Sequence, residues 1–110
     1  MKIEEIELLE PGDRISMQFY MEGTSKGIAN NVFTVIRIDY DRDVELDTCR
    51  GTNVFASARR FTIEHEKTKK RVYLYVLEHE NEKMTYIRTL ENEIDDFIPA
   101  KEIQRAEEKR

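Results

Sequence analysis

His65 and His79 each stand between two glutamates, and imidazole beside carboxylate is a donor set that suits zinc. A shared site needs both rings on one ion. If His65 faces Val72 across a hairpin, it lies seven residues from His79 along one strand, roughly 23 Å at the rise of extended chain. No ion spans that distance, so the expectation is two solvated strand-end histidines and no metal site. Asp39, Asp41 and Asp43 match the first acidic positions of a calcium loop, but Val44 stands where its tight turn needs glycine, and Arg50 where a bidentate glutamate is required. Alternating acids on the outer face of a hairpin give the same letters, and no calcium is expected.

Cys49 is followed by Arg50, whose charge would lower a thiol pKa, yet no general base stands next to it, and nucleophilic catalysis needs one. A packed or incidental cysteine is the expectation, with no catalytic residue and no enzyme activity. Gly23-Thr-Ser-Lys-Gly27 offers amides, hydroxyls and Lys26, the ingredients of an anion-binding loop, but without the spacing of a Walker loop or a following helix. A hairpin tip explains it. The run Lys67 to Arg71, four cations around Thr68, reads as a solvated turn.

The remaining chemistry is aromatic and cationic, and strands must position it. Phe61 to His65, Val72 to Leu77 and Met84 to Leu90 form a meander rich in Val, Ile, Tyr, Phe and Thr, separated by connections too polar to bury. Four-residue connections would set Glu66 opposite Arg71 and His79 opposite Met84. Phe61, Ile63, Val72, Leu74, Val76 and Ile87 then share an apolar face that belongs in the core. Arg60, Thr62, Glu64, Tyr73, Tyr75, Leu77, Tyr86 and Arg88 share the other, with Tyr75 directly opposite Arg88. Rings beside arginines can stack on bases or on a partner's side chains. Tyrosine also populates half-buried sheet faces, so the same letters suit an outer wall or a face lying under the N-terminal segment.

Before the meander, Ile3, Ile6 and Leu9 recur at helical spacing and stop at Pro11-Gly12, giving one turn of helix or an edge strand. Ile15, Met17 and Phe19 alternate as a first strand. Glu22 to Asn31 is a loop. Val32 to Tyr40 is a second strand whose apolar phase slips between Val35 and Ile36, the signature of a bulge. Asp41-Arg42 turns the chain into a third strand through Val44, Leu46 and Thr48. A loop from Cys49 to Asn53 leads into the meander. The quartets Ile63-Glu-His-Glu66 and Leu77-Glu-His-Glu80 echo each other as two hairpin corners. Near the end Pro99 suits the first residue of a short C-terminal helix, and the charged stretch from Glu102 to Arg110 is expected to fray.

The chain of 110 residues is one domain, residues 1–110, with room for one modest core. A composition 37% charged is polar, yet five tyrosines and five phenylalanines argue for folding rather than disorder. The net charge of −5 disfavours nonspecific DNA binding. The single cysteine excludes an internal disulfide, the acidic start lacks the pattern of a secretory signal, and no stretch has the apolar length of a membrane span. A soluble cytoplasmic protein is expected.

These elements predict a mainly β fold, either a small barrel or a strongly twisted antiparallel sheet. Pro11-Gly-Asp-Arg-Ile15 and Phe97-Ile-Pro-Ala-Lys-Glu-Ile103, where the chain enters and leaves, would suit an SH3-like barrel. The functional expectation is a non-enzymatic binding or regulatory module without cofactor, acting on another protein. The alternative is a small barrel that binds a nucleotide or single-stranded nucleic acid on Tyr73, Tyr75, Tyr86 and Arg88, with Arg59, Arg60 and Lys26 near phosphates.

Overall fold

The computed structural model describes residues 1–18, 30–47, 53–89 and 95–106. The chain runs through helix α1 (Ile3–Glu7) and strands β1 (Arg14–Gln18), β2 (Asn30–Asp47), β3 (Asn53–His65), β4 (Arg71–His79), β5 (Glu82–Thr89), β6 (Asp95–Phe97) and β7 (Ile103–Arg105). All pairings are antiparallel, in the order β6-β5-β4-β3-β2-β1-β7. Of the two forms expected, the antiparallel sheet is the one observed and the SH3-like barrel is not, because β6 and β7 end the order without pairing to each other.

Helix α1 forms with Ile6 buried at 0% exposure and Leu9, just past its end, at 1%, while the amide of Lys2 donates to the Glu5 carboxylate at 3.1 Å. The helix ends at Glu7 with Leu8 as its cap, and the chain then turns at Pro11-Gly12, where Gly12 has φ +96° and its N–H donates to Val35 O at 2.8 Å. An L side chain is strained there, and the turn ties the helix to the bulged part of β2. That bulge lies where the phase slip predicts it: the β2–β3 pairing shifts between Val35 and Arg37, leaving Ile36 as the extra, exposed residue.

The turn expected at Asp41-Arg42 is a second bulge. Pairing continues from Asp41↔Ala58 to Val44↔Ala56, so the two strands expected there are one, and β2 begins inside the stretch read as loop. A bulge absorbs the extra residue without reversing the chain, which polar letters alone do not distinguish from a turn.

The meander register differs by two residues at both hairpins. The β3–β4 connection has the expected length but begins one residue earlier, so Glu64 rather than Glu66 opposes Arg71. The β4–β5 turn has two residues, Glu80 and Asn81, at φ 50° and 65°, and His79 opposes Glu82 rather than Met84. Two successive left-handed residues match the twist of a tight hairpin. A slip of two preserves parity, so the expected core face survives: Phe61, Ile63, Val72, Leu74, Val76 and Ile87 are all buried in one cluster with Ile6, Leu9 and Phe33.

Pro99 precedes a 3₁₀ turn, Ala100–Glu102, rather than a C-terminal helix. Within the segment expected to fray from Glu102, Ile103–Arg105 add β7 to β1, with Ile103 fully buried opposite Met17, and residues 107–110 lie outside the described residues. One apolar residue at the right register suffices to hold so short a strand. Among the described residues no helix is long and apolar enough to cross a membrane.

Candidate functional site

The second face of the sheet carries the aromatic and cationic residues in two parallel rows. Backbone pairing aligns Asp39, Arg60, Tyr75, Tyr86 and Phe97 across β2 to β6, and the neighbouring row aligns Arg37, Thr62, Tyr73, Arg88 and Asp95. Tyr73 therefore opposes Arg88, and Tyr75 opposes Tyr86, a correction that follows from the two-residue slip. Arg88 still reaches Tyr75 diagonally: its guanidinium carbon lies 5.8 Å from the ring centroids of both Tyr75 and Tyr86.

Arg60 is the hub. Its guanidinium sits 4.8 Å from the Tyr73 centroid, with Asp39 at 3.5 Å and Asp41 at 3.3 Å. Burial works to lower its pKa, but Asp41 and Tyr75 outweigh that and hold it above its ordinary value. Its Nε is buried without a hydrogen-bond partner among the described residues. Asp39 also pairs with Arg37 at 2.9 Å. These carboxylates neutralise arginines, which explains Asp39 and Asp41 without a cation.

The rings form edge contacts, Tyr73 with Tyr75 at 6.1 Å and Tyr86 with Phe97 at 4.9 Å. Tyr75 and Tyr86 are only 4% and 3% exposed and join Val44, Ala58 and Leu77 in a second apolar cluster. Burial pushes the Tyr75 phenol up, against the downward pull of Arg88. Helix α1 packs in the opposite cluster, so the N-terminal segment is not what covers this face. Tyr73 and Arg88 are half-buried, and Phe97 at the sheet edge is 51% exposed.

The sheet thus brings together Arg60, Tyr73, Tyr75, Tyr86 and Arg88. Lys26 and the glycine loop, Phe19, Cys49, Arg50 and Leu90 lie outside the described residues. Asp39 and Phe97 are members that sequence spacing missed. The bulge at Ile36 resets the parity of β2 and aims Asp39 at Arg60, and that phase slip was the available signal. Phe97 gave no strand signal, because a three-residue strand has no visible alternation.

The histidines part company. His79 is half-exposed beside Glu80, whereas His65, expected in solvent, is 3% exposed. Ile63 belongs to the main core cluster and Leu77 to the second one, so the echoed quartets face opposite sides of the sheet. The ring of His65 makes an edge contact with Phe33 at 5.2 Å, and its Nδ1 accepts the N–H groups of Lys67 and Thr68 at 3.2 and 3.1 Å. Nδ1 therefore carries no proton, and Nε2 donates to Asn31 Oδ1 at 3.0 Å. Among the described residues no three His, Cys, Asp or Glu side chains gather as a metal site.

The sequence matches no protein-family model and no curated protein, and the fold matches no solved structure.

Proposed function

We propose that the chain is a protein-binding module that docks a partner along the accessible rim of the aromatic rows: Tyr73, Arg88 and Phe97. The observation carrying this reading is the burial of Tyr75 and Tyr86 beneath that rim. Their rings, with Arg60, hold the rim residues in place before any partner arrives, which lowers the ordering cost of association. Tyrosine and arginine held this way are the residue types that dominate protein interfaces. Base stacking would need open ring faces, and two of the three tyrosines do not offer them. The lone cysteine fits work in the reducing cytoplasm.

The test is affinity capture by the wild-type chain and by Tyr73→Ala and Arg88→Ala variants, with mass spectrometry and then direct titration of the recovered protein. Each substitution should weaken binding by about 1–3 kcal/mol with the fold intact by circular dichroism. The double variant should lose less than the sum, because the two residues oppose each other across β4 and β5. Undiminished binding by both variants would reject this face. Recovery of nucleic acid that is lost steeply with salt would favour the nucleic-acid alternative.

A further inference from the structure

The β3–β4 turn places Lys67, Lys69, Lys70 and Arg71 together, all exposed. Its backbone is fixed: the Lys69 N–H donates to His65 O at 2.9 Å, the His65 N–H to Lys70 O at 2.8 Å, and the amides of Lys67 and Thr68 to the His65 ring. The two carboxylates nearest in sequence are both engaged, Glu66 outside the patch and Glu64 with Arg71 of the patch itself. Glu66 accepts from Arg14 Nε and Nη2 at 2.6 and 3.0 Å, and Glu64 accepts from Arg71 at 3.1 Å. Among the described residues no carboxylate pairs with Lys67 or Lys69. At the opposite end of β4, Glu78, Glu80 and Glu82 are exposed around the β4–β5 turn, roughly 26 Å away at the rise of a nine-residue strand. Among the described residues, a chain of net charge −5 thus carries a cationic turn at one end of β4 and an acidic turn at the other, and the cationic turn steers an approaching anion.

We infer that this turn docks an acidic segment, rich in Asp and Glu, of the protein partner. The inference rests on the binding-module reading and adds the partner's chemistry. Amides that could cradle a phosphate are already occupied: those of Lys67 and Thr68 by the imidazole, that of Lys69 by His65 O, and that of Lys70 by Thr68 Oγ1 at 3.3 Å. What remains is point charge on flexible stems, which suits dispersed carboxylates better than a bidentate phosphate contact. On β4 Arg71 lies two residues from Tyr73, on the same side of the sheet, so an extended acidic segment leaving the turn passes onto the aromatic rim.

The experiment is fluorescence anisotropy with a labelled decaglutamate peptide and the full chain, at low salt and mildly alkaline pH, where His65 stays neutral. Saturable binding is expected, lost as salt rises and weakened about tenfold or more by Lys67→Glu with Lys69→Glu. A charge-matched control, Arg42→Glu with Lys101→Glu at exposed positions elsewhere, should bind as wild type does. No binding by the wild type, or equal loss in both variants, would overturn the inference. Tighter binding of an oligothymidylate of equal length would overturn it in favour of nucleic acid. Either failure leaves partner capture through Tyr73 and Arg88 untouched, whereas failure of the binding-module reading removes that capture while decaglutamate still binds the turn.

Discussion

Asn31, Phe33 and two backbone amides enclose the imidazole of His65, and that enclosure makes one residue both a turn-former and a titrating group. Burial, and then the charge of Lys67, push its pKa below the ordinary 6.5, against a smaller upward pull from Glu66. Above 6.5 the imidazole is neutral in the folded and the unfolded chain alike, and it adds no pH dependence. As pH falls below that value, the unfolded chain binds a proton that the folded chain refuses. Stability then falls, by at most about 1.4 kcal/mol per pH unit, until the buried ring itself protonates. Urea unfolding at about pH 7.5 and about pH 5.5 should show a larger loss for the wild type than for His65→Gln, which cannot titrate. Equal losses would mean that the His65 ring does not sense protons.

The element whose local geometry most conflicts with its residues is the β4–β5 hairpin. Glu80 and Asn81 both hold positive φ, and glutamate tolerates that region poorly because its Cβ crowds the backbone. Glu80→Asn with Asn81→Gly installs the pair favoured by such two-residue turns and should stabilise the fold by about 1 kcal/mol. Thermal unfolding checks this, and a lowered midpoint would contradict the turn geometry. The side chain of Thr85 and the amide of Ile98 tie β5 to the segment beyond β6, so the strand leaving this hairpin is secured at its outer edge.

At the scale of the whole molecule, an open sheet protects its ends with very short strands. β6 and β7 have three residues each, which limits the bare edge available to another chain. β7 also brings Ile103 into the main core, where it is fully buried in one cluster with Ile6, Ile15 and Met17. Ile103→Ala should therefore cost about 2–5 kcal/mol, a core penalty in a segment whose charged composition suggests a tail. Denaturant titration decides this, since a loss within about 0.5 kcal/mol would mark a surface position and a detached β7.

Sequence by itself determined which residues face which side, the turn at Pro11-Gly12 and the slip at Ile36. Side-chain alternation has a period of two, so even a register error of two residues leaves Leu74 and Ile87 inside and Tyr73 and Arg88 on the other face. Tertiary structure alone decided the register, the open ends and the depth of each group. Register depended on whether Glu80 and Asn81 could adopt left-handed backbone, an option that residue type does not forbid. His65 became buried because Asn31, 34 residues earlier, reaches its ring, and Tyr75 became a support because Arg60 and Arg88 arrive from neighbouring strands. Such contacts join positions far apart in the chain, and the free energy of burying a polar group depends on whether its partners arrive, which local spacing does not encode.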